Sequence, residues 1–170
     1  MAGAGEISDE LWVCHLGTVP YREALAIQHR LRARRQAGEL PDVLLLLEHP
    51  PVYTKGRRST SDELPMGEDW YRMQGIEVVE TDRGGRVTYH GPGQLVGYPI
   101  VDLRPMGDDV HLYVRRMERT VIAALAQWGV DAGPIEGLTG IWTPDSASEE
   151  TIAASIRRRW APRSATRMIA

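Results

Sequence analysis

RGGRVTYHGPGQLVGYPIVDL, residues Arg83–Leu103, is the stretch from which the fold is read. Within its first twelve residues, Arg83 to Gln94, five are glycine or proline. Val87–Tyr89 and Gln94–Val101 are apolar enough to predict strands on either side of the Gly91-Pro92-Gly93 turn. Pro99 lacks the N–H that a central strand needs, so the second strand is expected at an edge or a bulge. Glycines between rigid strands let main-chain N–H groups approach a ligand closely. Arg83 and Arg86 add fixed positive charge suited to a phosphate or a carboxylate. His90 adds a group that titrates near neutrality. Two readings stay open at this point: a ligand-binding loop, or a polar hairpin turn with a solvated arginine pair.

Upstream, Val43–Leu47 (VLLLL) is short, continuous and apolar, which predicts a strand buried on both faces. Glu48-His49-Pro50-Pro51 breaks it and Val52-Tyr53-Thr54 resumes it. Leu11–Leu16 reads as a first short strand. Thr18–Gly38 reads as a helix with Thr18 as cap, Pro20 in the first turn, a face of Tyr21, Ala24, Ile27, Leu31 and Arg34, and Gly38 at its end. Arg30, Arg32, Arg34 and Arg35 make that end basic, which suits its carbonyls. Lys55–Gly67 reads as a loop, Glu68–Gln74 as a short helix stopped by Gly75, and Ile76–Thr81 as a strand. Downstream, Asp108 or Asp109 caps a helix running to Trp128. Its apolar face is Val110, Val114, Met117, Val121, Leu125 and Trp128, and Gly129 closes it. Val130–Ile135 and Gly140–Thr143 read as short strands. Strands and helices mix without strict alternation, so the fold class is α/β (α+β), a mixed sheet with flanking helices.

The 170 residues suit one domain with a full core. A formal charge of −3 argues against a nucleic-acid partner held by overall positive charge. Cys14, alone, excludes an intramolecular disulfide framework and a multi-cysteine zinc site. No apolar run reaches the length of a membrane span, and the N-terminus lacks the pattern of a secretory signal, so the expected address is cytoplasmic. His49, His90 and His111 show no metal-ligand spacing, and no metal or other cofactor is expected. Cys14 reads as a small buried side chain rather than a nucleophile. Lys55, the single lysine beside nineteen arginines, reads as a solvated loop charge.

Arg83–Leu103 resembles, nearly position for position, the signature of the lipoate-protein octanoyltransferases. LLLLEHPPVYTKGRRS upstream is similar to the family's buried strand, its turn and its G-R loop. RRMERTVIAALAQWGV and GLTGIWT are similar to its next helix and strand. The resemblance implies a biotin/lipoate protein ligase-like fold. It implies transfer of octanoyl from acyl carrier protein to a lysine of a lipoyl domain or of the glycine-cleavage H protein. It also implies that Arg83, Gly84, Gly85, Arg86, Val87, Thr88, Tyr89 and His90 bind the acyl substrate. An acidic carrier protein would be steered by arginines, with Arg57, Arg58, Arg115 and Arg116 as candidates against the plainer reading of solvated charge.

The family mechanism uses a cysteine that carries the acyl chain and a lysine that lowers its pKa. Thr151 stands where the resemblance puts that lysine, and no cysteine follows Cys14, so no catalytic residue is assigned. Residues 151–170 hold five arginines and no acid, and Ile152, Ile156 and Trp160 are spaced as in a helix where the family has a strand. The expectation is therefore a catalytic domain over residues 1–148 with its C-terminal part missing, then a divergent basic tail over 149–170. The alternative function is a catalytically dead relative that at most binds the acyl substrate. An ATP-dependent lipoate or biotin ligase is the third reading, and its signature does not match HGPGQ.

Overall fold

The computed structural model describes residues 10–144. Thr151 and the basic segment lie outside the described residues. The chain divides into two compact units, the first ending at Asp102 and the second starting at Leu103.

The first unit holds β1 (Leu11–Thr18), α1 (Tyr21–Gln36), β2 (Asp42–Glu48), β3 (Val52–Lys55), α2 (Glu68–Met73), β4 (Glu77–Glu80), β5 (Thr88–His90) and β6 (Val96–Ile100). The expected single mixed sheet is two. One has the order β1-β2-β6 and the other β4-β3-β5. Each has one parallel and one antiparallel pairing. The strands around the Gly-Pro-Gly turn do not pair with each other, because β5 joins β3 while β6 joins β2. The chain therefore changes sheet twice, once through His49-Pro50-Pro51 and once through Gly91–Leu95. Pro99 sits on β6, an edge strand, as its missing donor requires.

β2 buries Val43, Leu45 and Leu47 while Leu44 and Leu46 stay half-buried, so it has one dry face rather than two. Leu47 packs with Val19 and Ala24, flanked by Val96 and Tyr98. Tyr21, Val52 and Val79 form a second cluster, flanked by Leu25. β1 is an edge strand with Leu11, Trp12, Val13 and Leu16 exposed, and Cys14 is half-buried rather than buried.

Thr18 does not cap α1. It ends β1 paired with Glu48, and Pro20 holds the N-cap position without a side-chain bond. At the other end Gly38, with φ +73°, lets its own N–H and that of Glu39 reach the Arg35 and Arg34 carbonyls, a closure that Cβ-bearing residues resist. Arg34 is exposed, and Arg35 turns inward to pair with Asp42 and Asp102.

In the second unit, Asp109 caps α3 (Val110–Ala126) by accepting from the Leu112 N–H. The helix ends before Trp128, which is exposed, as is Val110. Glu118 is buried on α3, where its carboxylate accepts from the Gly140 N–H at 2.7 Å and from Arg115 at 2.9 Å. The two strands expected after α3 reduce to an isolated bridge between Gly133 and Trp142.

Candidate functional site

Both sheet changes meet at one corner of the first unit. The period of two along β3 and β5 turns Val52, Thr54, Thr88 and His90 inward. Tyr53 and Tyr89 pair on the opposite face, with ring centroids 5.1 Å apart. The Gly93 N–H donates to the Glu48 carboxylate at 2.7 Å, tying the second crossover to the first.

His49 is fully buried at this corner. Its Nδ1 lies 2.7 Å from the Val19 carbonyl and its Nε2 lies 2.8 Å from the Tyr98 hydroxyl. A carbonyl only accepts, so Nδ1 carries the proton and Nε2 accepts from Tyr98. The ring thus joins the start of α1, the β2–β3 turn and β6. Its centroid lies 5.2 Å from that of Tyr21 and 5.6 Å, edge-on, from that of His90. Burial raises the phenol pKa of Tyr21, against which Arg83 lowers it and Asp82 raises it. Burial also pushes that of Tyr98 well above its ordinary value. Both rings stay neutral at physiological pH.

Arg83 is half-buried and spends its guanidinium on oxygen atoms of the chain. Nε donates to Thr54 Oγ1 at 3.2 Å and Nη2 to the same hydroxyl at 2.7 Å. Nη2 also reaches the Thr54 and Arg86 carbonyls, each at 2.7 Å, and Nη1 the Gly84 carbonyl at 3.0 Å. No described carboxylate pairs with it, and burial lowers its pKa from the ordinary guanidinium value. Arg83 is therefore a brace that fixes the glycine loop to β3, and its charge is left uncompensated toward Tyr21, Tyr98 and His90. Arg86 pairs with Glu63, whose side chain is only 6% exposed. The two arginines expected to act together as an anion site thus have separate tasks.

The backbone of Gly56-Arg57-Arg58 clamps the loop from the other side. The Arg57 and Arg58 N–H groups donate to the Arg83 and Gly85 carbonyls, each at 3.0 Å. A Cβ on Gly56 would meet the Gly85 carbonyl oxygen at 2.6 Å and that of Gly84 at 3.0 Å. Gly56→Val is expected to lower stability by about 2 kcal/mol through this overpacking. A thermal midpoint equal to that of the parent would contradict the clamp.

His90 is half-buried, and its Nδ1 lies 2.7 Å from Gln94 Oε1. Burial holds its pKa below 6.5; Gln94 opposes this, and His49 and Arg83 reinforce it. The unfolded chain then binds this proton more readily than the folded one. The resulting stability is present above about pH 6.5 and lost as pH falls through the folded value. The thermal midpoint of His90→Asn is expected to fall less steeply below pH 6.5 than that of the parent. Identical slopes would contradict the assignment.

Lys55 is not a solvated charge: it ends β3 and bonds Glu68 at 2.5 Å and Glu80 at 3.1 Å, which raise its pKa. Arg57 and Arg58 are exposed beside the loop, Arg116 is exposed on α3, and Arg115, also exposed, pairs with Glu118. His111 lies on α3. Among the described residues no group of three or more His, Cys, Asp or Glu side chains is arranged to hold a metal ion. No described helix is long and apolar enough to cross a membrane. Thr54, Gly56, Tyr21 and Tyr98 were not singled out by sequence reasoning.

The lipoyl protein ligase A/B catalytic domain matches residues 20–159, most of the chain. The chain belongs to that family. The matched span includes every residue of the corner except Val19. An octanoyltransferase of Acidothermus cellulolyticus is 51% identical over 82% of the chain and 60% of its own length. One of Solibacter usitatus is 50% identical over 82% of the chain and 61% of its own length. The chain thus spans about three-fifths of these relatives. The lipoate protein ligase of Thermoplasma acidophilum, from a bipartite system, superposes with a TM-score of 0.59 over 79% of the chain and 51% of its own, at 21% identity. That likeness establishes the lipoate-ligase fold. In this member of the lipoyl ligase family, the glycine loop is a braced surface at the junction of two sheets.

Proposed function

We propose that this chain is an octanoyltransferase of lipoate biosynthesis. The enzyme moves octanoyl from acyl carrier protein to a lysine of a lipoyl domain or of a glycine-cleavage H protein, in the cytoplasm. Arg83, Gly84, Gly85, Arg86, Val87, Thr88 and His90 form the acyl-substrate surface, while Tyr89, which the resemblance also assigns to it, turns to the opposite face against Tyr53. We read residues 1–148 as the catalytic-domain portion and 149–170 as a basic segment appended to it. The observation that carries this reading is the loop itself. Arg83 and Gly56 hold it in one shape at the sheet junction, in a chain about half identical to proteins named octanoyltransferase. The non-catalytic alternative is the less favoured reading, because the relatives are named for the transfer.

Chemically, the corner offers neutral groups beside one uncompensated guanidinium. Such a setting favours the partial negative charge of a thioester oxygen over an ammonium group. The acyl tail supplies affinity. Two methylenes fewer, hexanoyl in place of octanoyl, are expected to weaken binding roughly 15-fold at about 0.8 kcal/mol each. Equal affinities would contradict an acyl-length-reading surface.

The test of the function incubates the full chain with octanoyl-acyl carrier protein and a lipoyl domain, and follows the lipoyl domain by intact mass. The reading predicts one octanoyl added to one lysine. An unmodified lipoyl domain, beside an active full-length relative, would overturn it for this chain.

A further inference from the structure

Gln94 lies in the crossover that closes the corner, four residues after His90. Its Oε1 is 2.7 Å from His90 Nδ1. An amide oxygen only accepts, so Nδ1 must donate. His90 Nε2 then keeps its lone pair, and it has no hydrogen-bond partner among the described residues. The neighbouring His49 shows the same division of roles, with Nδ1–H on the Val19 carbonyl and Nε2 accepting from Tyr98. We infer that Gln94 is a positioning residue that fixes His90 as the Nδ1–H tautomer and leaves Nε2 as an acceptor for a substrate group carrying a proton.

The surroundings favour the neutral ring. The titratable and charged groups that face it are Tyr21 from α1, His49 from the β2–β3 turn and Arg83 from the glycine loop, with Asp82 acting on Tyr21 behind them. Among the described residues no carboxylate is bonded to the His90 ring. Arg83 is cationic, and the ring of Tyr21 stacks against His90 with centroids 6.3 Å apart. Protonating His90 would place a second cation beside Arg83, which no described carboxylate pairs. An acceptor-only imidazole here suits an N–H or S–H group. In the octanoyl-transfer reading, on which this inference rests, such a group is the amine of the acceptor lysine.

The test is the imidazole tautomer, read by long-range 1H–15N correlation in the uniformly 15N-labelled full chain near pH 7.5. The His90 signals are assigned by their loss in His90→Asn. The wild-type ring is expected to carry its proton on Nδ1, as is His49. Gln94→Leu is expected to shift His90 toward the Nε2–H form, which a histidine without a partner at Nδ1 prefers. Gln94→Glu is expected to keep Nδ1–H and to move the titration of His90 to higher pH. An Nε2–H wild-type ring would overturn the inference without recourse to any variant, as would an unchanged tautomer in Gln94→Leu with the His49 signals intact. The readout needs no turnover. Failed transfer with the Nδ1–H tautomer present would count against the proposed function and not against this assignment.

Discussion

Arg83→Met is expected to weaken binding of an octanoyl thioester at least about 100-fold, because a loop displaced by an ångström loses its substrate geometry. The substitution removes the donors to Thr54 Oγ1 and to the Thr54, Gly84 and Arg86 carbonyls. Thr54 is fully buried, so its oxygens gain no water in exchange. Relief of a partly buried cation offsets some of the loss, which leaves a net cost of about 2–3 kcal/mol in stability. Arg83→Lys is expected to recover little of either effect. An ammonium is a point donor and cannot span Thr54 and Arg86 as the planar fork does. Calorimetric binding of octanoyl-pantetheine, with thermal midpoints of the same samples, measures both. A lysine variant that binds like the parent would show that Arg83 serves only as charge.

Arg35→Met is expected to cost about 3 kcal/mol, because it removes the guanidinium that pairs with two largely buried carboxylates. The Arg35 side chain is 11% exposed and that of Asp102 10%. Arg35 Nε donates to Asp42 Oδ1 at 2.7 Å, the same oxygen that accepts from the Asp102 N–H at 3.0 Å, and Nη2 reaches Asp102 at 3.4 Å. The cluster fixes the end of α1 to the start of β2 and the exit of β6, far along the sheet from the glycine loop. Stability is therefore expected to fall while octanoyl-pantetheine affinity, measured well below the midpoint, stays within about twofold, as for sites that share no partners. A midpoint shift under 2 °C would contradict the ion-pair cluster as a structural lock.

The elements were largely legible in the sequence because their signals are local. The apolar run of β2, the glycine stops of α1 and α3 and the Asp109 cap each act within a few residues. What could not be read depends on long-range pairing. β5 and β6 flank a tight turn and invite a hairpin, yet β3 and β2 claim them separately through partners 34 to 57 residues away in sequence. The same reason hid Thr54, whose role appears only when Arg83 arrives from the far end of α2 and β4. Arg35 looked like one more basic residue at a helix end. Of its two acids, Asp42 is seven residues away but Asp102 is 67 away. Thr18 had the right chemistry for a cap but was taken by parallel pairing with Glu48. The glycine loop itself was legible as a site, since neither a core nor a simple turn explains two arginines, four glycines and a histidine within one short stretch.

The central claim is that residues 83–90 form the octanoyl-binding surface. Amide chemical-shift mapping tests it most directly: the 15N-labelled full chain is titrated with octanoyl-pantetheine, and with pantetheine alone as the control. The account predicts saturable shifts, specific to the octanoyl form, at Gly84, Gly85, Thr88 and His90 and at their clamp, Gly56 and Arg57. Saturable shifts confined to other residues, or no difference between the two titrations, would contradict it.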